Sequence, residues 1–142
     1  MSLYRFSTVI NNIKNNIKNN NILKRHLSNK IRTINNEWYI KENNYYKLGL
    51  TDNVTDITFL EVEDNDIFEK DEPIVFIETI KAVGEIIAPF DCKLIDINEV
   101  IIEDINIINE DQENEDNWII KIESNTNIKN PDEIINKLKI ID

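Results

Sequence analysis

One cysteine, one histidine and two glycines in 142 residues close most routes to enzyme chemistry. Cys92 alone permits no disulfide framework and no Cys-rich metal site. His26 and Cys92 together make neither a zinc ligand set nor a believable Cys/His nucleophile pair. Two glycines do not build a glycine-rich phosphate loop or a dinucleotide-binding fingerprint. No continuous apolar run marks a secretory signal or a membrane span.

Acidic residues are also missing, but only from residues 1–36. That stretch carries Arg5, Lys14, Lys18, Lys24, Arg25, Lys30 and Arg32, a charge of +7. Of 16 basic and 27 acidic residues in the whole chain, nine basic and all 27 acidic ones therefore lie beyond it, giving −18. Such a split does not belong to one folded surface. The acidic body is unsuited to nucleic acid, whose phosphates demand Lys/Arg clusters. In the first segment Ile10, Ile13 and Ile17 recur at helical spacing with Lys14 and Lys18 beside them, the pattern of an amphipathic mitochondrial presequence. Residues 1–34 are expected to be that presequence, ending between about 25 and 34, or else an Asn-rich low-complexity tail. Residues 35–142 are expected to be the folded domain.

From Trp38 onward the chain reads as short strands: "EWYI", "YYKLGL", "ITFLEV", "IVFIETI", "EIIAP", "KLIDI" and "WIIKIE". Runs of β-branched and aromatic residues between polar clusters predict an all-β sandwich or barrel. Alternation in "KLIDIN" and "WIIKIE" predicts one buried and one wet face. Asp/Asn groups such as "EDNDIFEKDEP" suit left-handed turns. "NEVIIEDINIIN" is ambiguous, with a helical turn as one reading. "NPDEIINKLKI" predicts a short helix, with Asn130 as its cap and Pro131 at its first position. Trp38 and Trp118 are expected in the core or in a cleft wall, and Cys92 to serve packing.

Lys81 is the only basic residue between Lys70 and Lys93, and apolar strands run into it and out of it. A hairpin apex on rigid strands presents a side chain well. Glu78 and Glu85 bracket it at −3 and +4, so a modifying enzyme could read the apex electrostatically. A protonated lysine amine is a poor nucleophile but a long, flexible acylation target. The site is expected to be modified rather than to catalyse.

"VFIETIKAVGEIIAPFDCKLIDIN" resembles the lipoylation hairpin of the glycine cleavage H-protein family, whose pattern runs close to V-x-S-V-K-A-x-S-D-I-x-S-P-x-x-G-x-V-x-x-V-N. Lys81 falls on the lipoyl lysine, and Glu78, Ala82, Ile86, Pro89 and Asn98 also match. "NNEWYI", "LGLTD", "DNWIIKI" and "NPDEIINKL" resemble further family segments, in order, over roughly residues 35–138. Biotin carriers fit less well, since Ile80 and Ala82 stand where they place methionines. Lipoyl domains of 2-oxoacid dehydrogenases have a similar E-T-D-K-A but lack the Glu-Trp strand. The chain departs from the family at Asn65, Asp71 and Cys92, which replace glycines, and at Asn36, which replaces a histidine.

The resemblance implies a mainly β, barrel-sandwich hybrid of lipoyl/biotinyl type, with two antiparallel sheets and a short C-terminal helix. It implies a non-catalytic carrier with lipoate in amide linkage on Lys81 and no metal. Glu78 would take part in recognition for lipoylation. Glu37, Asn35 and Glu85 would line the cleft that shelters the aminomethyl-loaded arm. The implied partners are a pyridoxal-phosphate glycine decarboxylase, an aminomethyltransferase, a dihydrolipoyl dehydrogenase and a lipoyl ligase or transferase. With the presequence, the implied place is the mitochondrial matrix and the implied pathway glycine catabolism feeding one-carbon metabolism. Two alternatives stay open: a lipoate relay protein that donates lipoyl groups to 2-oxoacid dehydrogenase complexes, and a non-lipoylated structural homologue.

Overall fold

The computed structural model describes residues 29–140. The chain falls into two units, Met1–Lys30 and Ile31–Asp142, and the second carries the sheets. The helical, presequence-like pattern of residues 10–18 lies outside the described residues.

Each apolar run expected to be a strand forms one. β1 (Lys30–Arg32), β2 (Glu37–Glu42) and β3 (Tyr45–Leu50) are followed by β4 (Ile57–Val62), β5 (Ile67–Phe68) and β6 (Pro73–Thr79). β7 (Val83–Ile87), β8 (Cys92–Ile97) and β9 (Ile120–Ser124) complete the set. Six strands lie side by side in the order β1-β2-β3-β9-β8-β5, and three in the order β4-β6-β7. The pairings between β2 and β9 with a defined register are all antiparallel. The sheets pack as a sandwich and do not close into a barrel. One apolar cluster joins them, with Tyr39, Leu48 and Ile122 from the larger sheet and Leu60, Val75, Ile77 and Ile86 from the smaller.

The tight corners use Asn and Asp. Asn36, Asn43, Asp56, Asp71 and Asn130 all have positive φ, whereas neither glycine does. A short polar side chain tolerates the left-handed region better than other non-glycine residues. Asp71 accordingly fills a family glycine position at φ 74°. Asn65 and Cys92 are not left-handed, so their backbones need no glycine. The Cys92 side chain is 2 % exposed and packs in the core, and burial pushes its thiol up to about 12. It serves packing, as expected.

Two local expectations are corrected, and one stretch left ambiguous is resolved as helical. A register shift between Leu94 and Asp96 breaks the alternation expected of "KLIDIN" and leaves Ile95 exposed. Asn130 makes no side-chain cap on the terminal helix α3 (Pro131–Lys137), because its backbone turns left-handed at φ 55°. "NEVIIEDINIIN" resolves into two short helices, α1 (Glu99–Glu103) and α2 (Ile105–Glu110), divided at Asp104. Asp104 is extended, and its carboxylate accepts from the Asn106 amide, capping α2.

Glycine is required at position 49 by a close approach. Gly49 faces Trp38 across the β2–β3 pair, and a Cβ there would lie 2.3 Å from the indole ring. Trp38 is fully buried, and its Nε1–H donates to the Gln112 carbonyl at 2.9 Å, so the ring has little freedom to yield. Gly49→Ala is expected to cost about 1–3 kcal/mol, as overpacking does. Gly84→Ala, whose Cβ would meet nothing within 4 Å, is expected to be within about 0.5 kcal/mol of wild type. Urea unfolding of the two variants side by side checks this; equal stabilities would contradict it. Trp118, by contrast, is half-buried, with the Lys121 ammonium 4.6 Å from its ring centroid.

Candidate functional site: a lysine hairpin beside an acidic cleft

β6 and β7 pair antiparallel from Pro73↔Ile87 to Glu78↔Val83, which leaves Ile80–Ala82 as the bend between them. Lys81 is exposed at that apex. No described carboxylate lies within ion-pair distance of its ammonium. The bend is held from within. The Thr79 amide donates to the Ala82 carbonyl at 2.8 Å. Thr79 Oγ1 accepts from the amides of Lys81 (3.3 Å) and Ala82 (3.0 Å) and donates to the Ala82 carbonyl (3.1 Å). The Ile80 amide donates to the Asp56 carbonyl at 3.1 Å, which ties the bend to the start of β4.

Thr79, whose hydroxyl holds the bend, is a residue that sequence reasoning missed. Its signal was present: a Thr two residues before the lysine has the reach for an ST-turn. Thr79→Val keeps the shape and removes the hydroxyl. Its expected effect is loosening rather than unfolding: amide exchange at Lys81 and Ala82 rises about tenfold or more while global stability falls by about 1 kcal/mol. Unchanged exchange at both amides would show that the hydroxyl does not stiffen the apex.

Across from β7 stands the segment that leads into β2. The Thr33 amide donates to the Glu37 carbonyl at 2.9 Å, and Asn36 turns left-handed at φ 64°. The Thr51 amide donates to the Asn36 carbonyl at 2.9 Å, and the Ile34 amide to the Leu138 carbonyl at 2.9 Å. The C-terminal helix thus braces this wall. It is itself anchored by Asp132, which accepts from the Tyr46 hydroxyl and lies 2.8 Å from the Lys41 ammonium. Lys41 first, then Tyr46, hold the Asp132 carboxyl below its ordinary value.

A cleft of about 640 Å³ runs between the two walls, with Asn35 and Glu37 on one side and Glu78, Val83 and Glu85 on the other. An adjoining cavity of about 310 Å³ shares Asn35 and Glu85 and reaches Lys81. Asn35, Glu37, Glu78, Lys81 and Glu85 therefore all line one or both of two adjoining spaces, although more than 40 residues separate the two walls in the chain. No group of three or more His, Cys, Asp or Glu among the described residues could hold a metal ion.

Glu37 is a buried carboxyl and no solvent-facing strand charge. Residues 37 and 39 share a face of β2, and Tyr39 lies in the core, so Glu37 points inward too and is only 2 % exposed. Thr33 Oγ1 donates to its carboxyl at 3.1 Å. Burial raises its pKa to about 7, with the hydrogen bonds from Thr33 and Tyr39 pulling the other way. Near neutral pH the carboxyl is poised between its two forms. A cationic group entering the cleft would draw off the proton and gain a desolvated counter-charge.

The geometry agrees with three comparisons. The family model described as "Glycine cleavage H-protein" matches residues 30–140. The glycine cleavage system H protein of Prochlorococcus marinus subsp. pastoris is 34 % identical over 106 residues, covering 70 % of this chain and 81 % of that protein. The glycine cleavage system H protein of Treponema denticola is 35 % identical over 92 residues, covering 61 % and 74 %. The crystal structure of a glycine cleavage system H protein from Mycobacterium marinum superposes with a TM-score of 0.58 at 18 % identity, over 77 % of this chain and 95 % of that one, a likeness of fold. The chain belongs to the glycine cleavage H-protein family, the non-catalytic lipoyl carriers of the glycine cleavage system.

Proposed function

We propose that Lys81 is the lipoyl attachment point and that the cleft lined by Glu37, Asn35 and Glu85 shelters the cargo. One observation carries this reading: the exposed amine stands on a hydrogen-bonded hairpin apex, and the cavity it lines adjoins an acidic cleft. These residues fit lipoate, which needs an accessible amine for its amide bond and a nearby recess for the far end of the arm. Bound there, lipoate supplies a dithiolane that takes up the aminomethyl unit left when glycine is decarboxylated.

The chain's own residues then hold and protect. Thr79 keeps the apex from collapsing onto the sheet. Glu78 marks the lysine for the lipoylating enzyme. Glu37 and Glu85 offer carboxylates, and Asn35 an amide, to a cationic amine. Tethering replaces diffusion with a high local concentration at each partner. We assign as partners the pyridoxal-phosphate glycine decarboxylase, the aminomethyltransferase, the dihydrolipoyl dehydrogenase and a lipoyl ligase or transferase. The −18 charge beyond residue 36 favours docking on basic partner surfaces.

The basic segment ahead of β1 we assign as a mitochondrial presequence, shorter than the expected 1–34 because residues 30–34 belong to the sheet and the cleft wall; on that assignment the carrier works in the matrix. The support is the acid-free basic composition; the relatives named above are bacterial. Cleavage upstream of Lys30 would leave β1 whole. Residues 1–36 fused to a reporter are expected to direct import, and a cytosolic reporter would overturn the assignment.

Intact-mass measurement on protein from its own cells, followed by reconstitution with the decarboxylase, tests the function. The expected results are a lipoyl increment on Lys81 and glycine-dependent carbon dioxide exchange. An unmodified Lys81 would favour the non-lipoylated homologue, and a lipoylated protein without exchange the lipoate relay.

A further inference from the structure

We propose that Phe59, Ile80 and Val83 form the surface that seats the enzyme acylating Lys81, and that this enzyme offers an apolar recess rimmed by lysine and arginine. The inference rests on the reading of Lys81 as the lipoyl attachment point and adds how that lysine is found.

Ile80 is 73 %, Val83 81 % and Phe59 44 % exposed. Three of the seven exposed large hydrophobic residues among those described thus gather at one end of the three-stranded sheet, around one lysine. Phe59 pairs with Glu78, and Glu78 with Val83, so the three lie in a row on the same face. The next row is Glu61, Phe76 and Glu85. The outer face therefore interleaves apolar and acidic side chains and carries no basic residue from β4, β6 or β7.

Phe59 reaches that face through an irregularity. With regular alternation it would follow the buried Ile57 inward. A register shift between Ile57 and Phe59 instead sends Leu60 inward and Phe59 out. A solvated sheet face gains nothing by displaying a phenyl ring, whereas an apolar patch rimmed by charge suits a partner.

Geometry selects the occupant. Before modification the amine stands on a stem about 6 Å long, four C–C bonds and one C–N bond. An enzyme acting on that amine has to come within this distance of the apex backbone, and in doing so it covers Ile80 and Val83. Enzymes that meet the cargo on the extended arm are under no such constraint. Around the patch Asp56, Glu61, Glu78 and Glu85 are exposed, so the recess that accepts it carries positive charge at its rim. In the reaction the deprotonated Nζ attacks the carbonyl carbon of lipoate activated as an acyl phosphate anhydride. The amide C–N bond forms and the acyl C–O bond breaks, its electron pair leaving with the phosphate. The amine's second proton passes to a base of the enzyme.

The test uses the full chain, unmodified, with a lipoate ligase, lipoate and ATP, and follows the mass increment over time. The double variant Phe59→Ser/Ile80→Ser, at two positions that line neither the cleft nor the adjoining cavity, is expected to lower kcat/KM for lipoylation about 30-fold, chiefly through KM, as loss of a hot spot does. Phe59→Ser alone, on the strand face away from the bend, is expected to give a smaller loss in the same direction. Ile67→Ser removes an equally exposed side chain from another sheet and is expected to change nothing. Once loaded, the double variant is expected to support glycine-dependent carbon dioxide exchange within about threefold of wild type. A double variant lipoylated at the wild-type rate would overturn the seating surface and leave Lys81 as the attachment point. An equal loss in lipoylation and exchange would overturn the choice of occupant. Failure of the wild-type chain to be lipoylated would instead sink the reading of Lys81 itself.

Discussion

Lys81→Arg is expected to fold normally and to carry no lipoyl group, with glycine-dependent carbon dioxide exchange at background. Arginine keeps the charge and nearly the length, but its guanidinium does not give up its proton at physiological pH and offers no acylatable amine. The position is exposed and its bend is held by Thr79 and by backbone, so stability should stay within about 0.5 kcal/mol of wild type. Mass spectrometry and urea unfolding on the same sample check both halves. A lipoyl increment on the variant would place the attachment elsewhere, with Lys70 and Lys93 the nearest amines in sequence. Lost folding would mean that the lysine has a structural task which the hydrogen-bond pattern does not show.

Glu37→Gln is expected to stabilise the protein at pH 8 and to weaken its hold on a cationic cargo. The folded carboxyl has a pKa of about 7 against an ordinary value of 4.5, so the folded state binds its proton more tightly than the unfolded chain. The group's contribution is therefore most favourable below pH 4.5. It declines as pH rises from 4.5 to about 7 and is flat above that. The decline amounts to about 3 kcal/mol at most, the cost of ionising a buried acid. Glutamine is neutral throughout and keeps an oxygen to accept from Thr33. The gap between variant and wild type should thus open across pH 4.5–7 and vanish below it, as unfolding free energies at several pH values would show. A gap independent of pH would mean that Glu37 does not titrate in this window.

The second half of that expectation concerns function. A residue that destabilises the fold at neutral pH and lines a cleft is worth keeping only if its charge is used there. Glu37→Ala should speed loss of the aminomethyl unit from the loaded protein, and Glu37→Gln should do so to a comparable degree. An unchanged rate of loss in both would remove Glu37 from the cargo site.

Much of this was legible along the chain, for physical reasons that differ by element. The longer strands announced themselves because apolar and β-branched runs such as "ITFLEV" and "IVFIETI" have little use outside a sheet. β1 and β5, with three and two residues, are too short for any period to register. The left-handed corners were readable as a class, since Asn and Asp are the residues that tolerate them. Which Asn would turn was not: Asn130 adopts the left-handed region where a cap was expected, while Asn65 does not. The burial of Glu37 was not legible either, because residues 37–40 are all buried and a strand covered on both faces shows no alternation.

By itself the order of residues determined a lysine isolated between two strand-forming runs, and with it the hairpin, since strand propensity and turn chemistry act over a few neighbours. Only the tertiary structure decided that Glu37 faces inward, that Phe59 faces outward, and that the 33–37 wall stands opposite β7 to make a cleft. Each of those outcomes depends on register and on which sheet packs against which. Such choices are settled by contacts between segments tens of residues apart, where a shift of one residue turns a side chain from core to solvent.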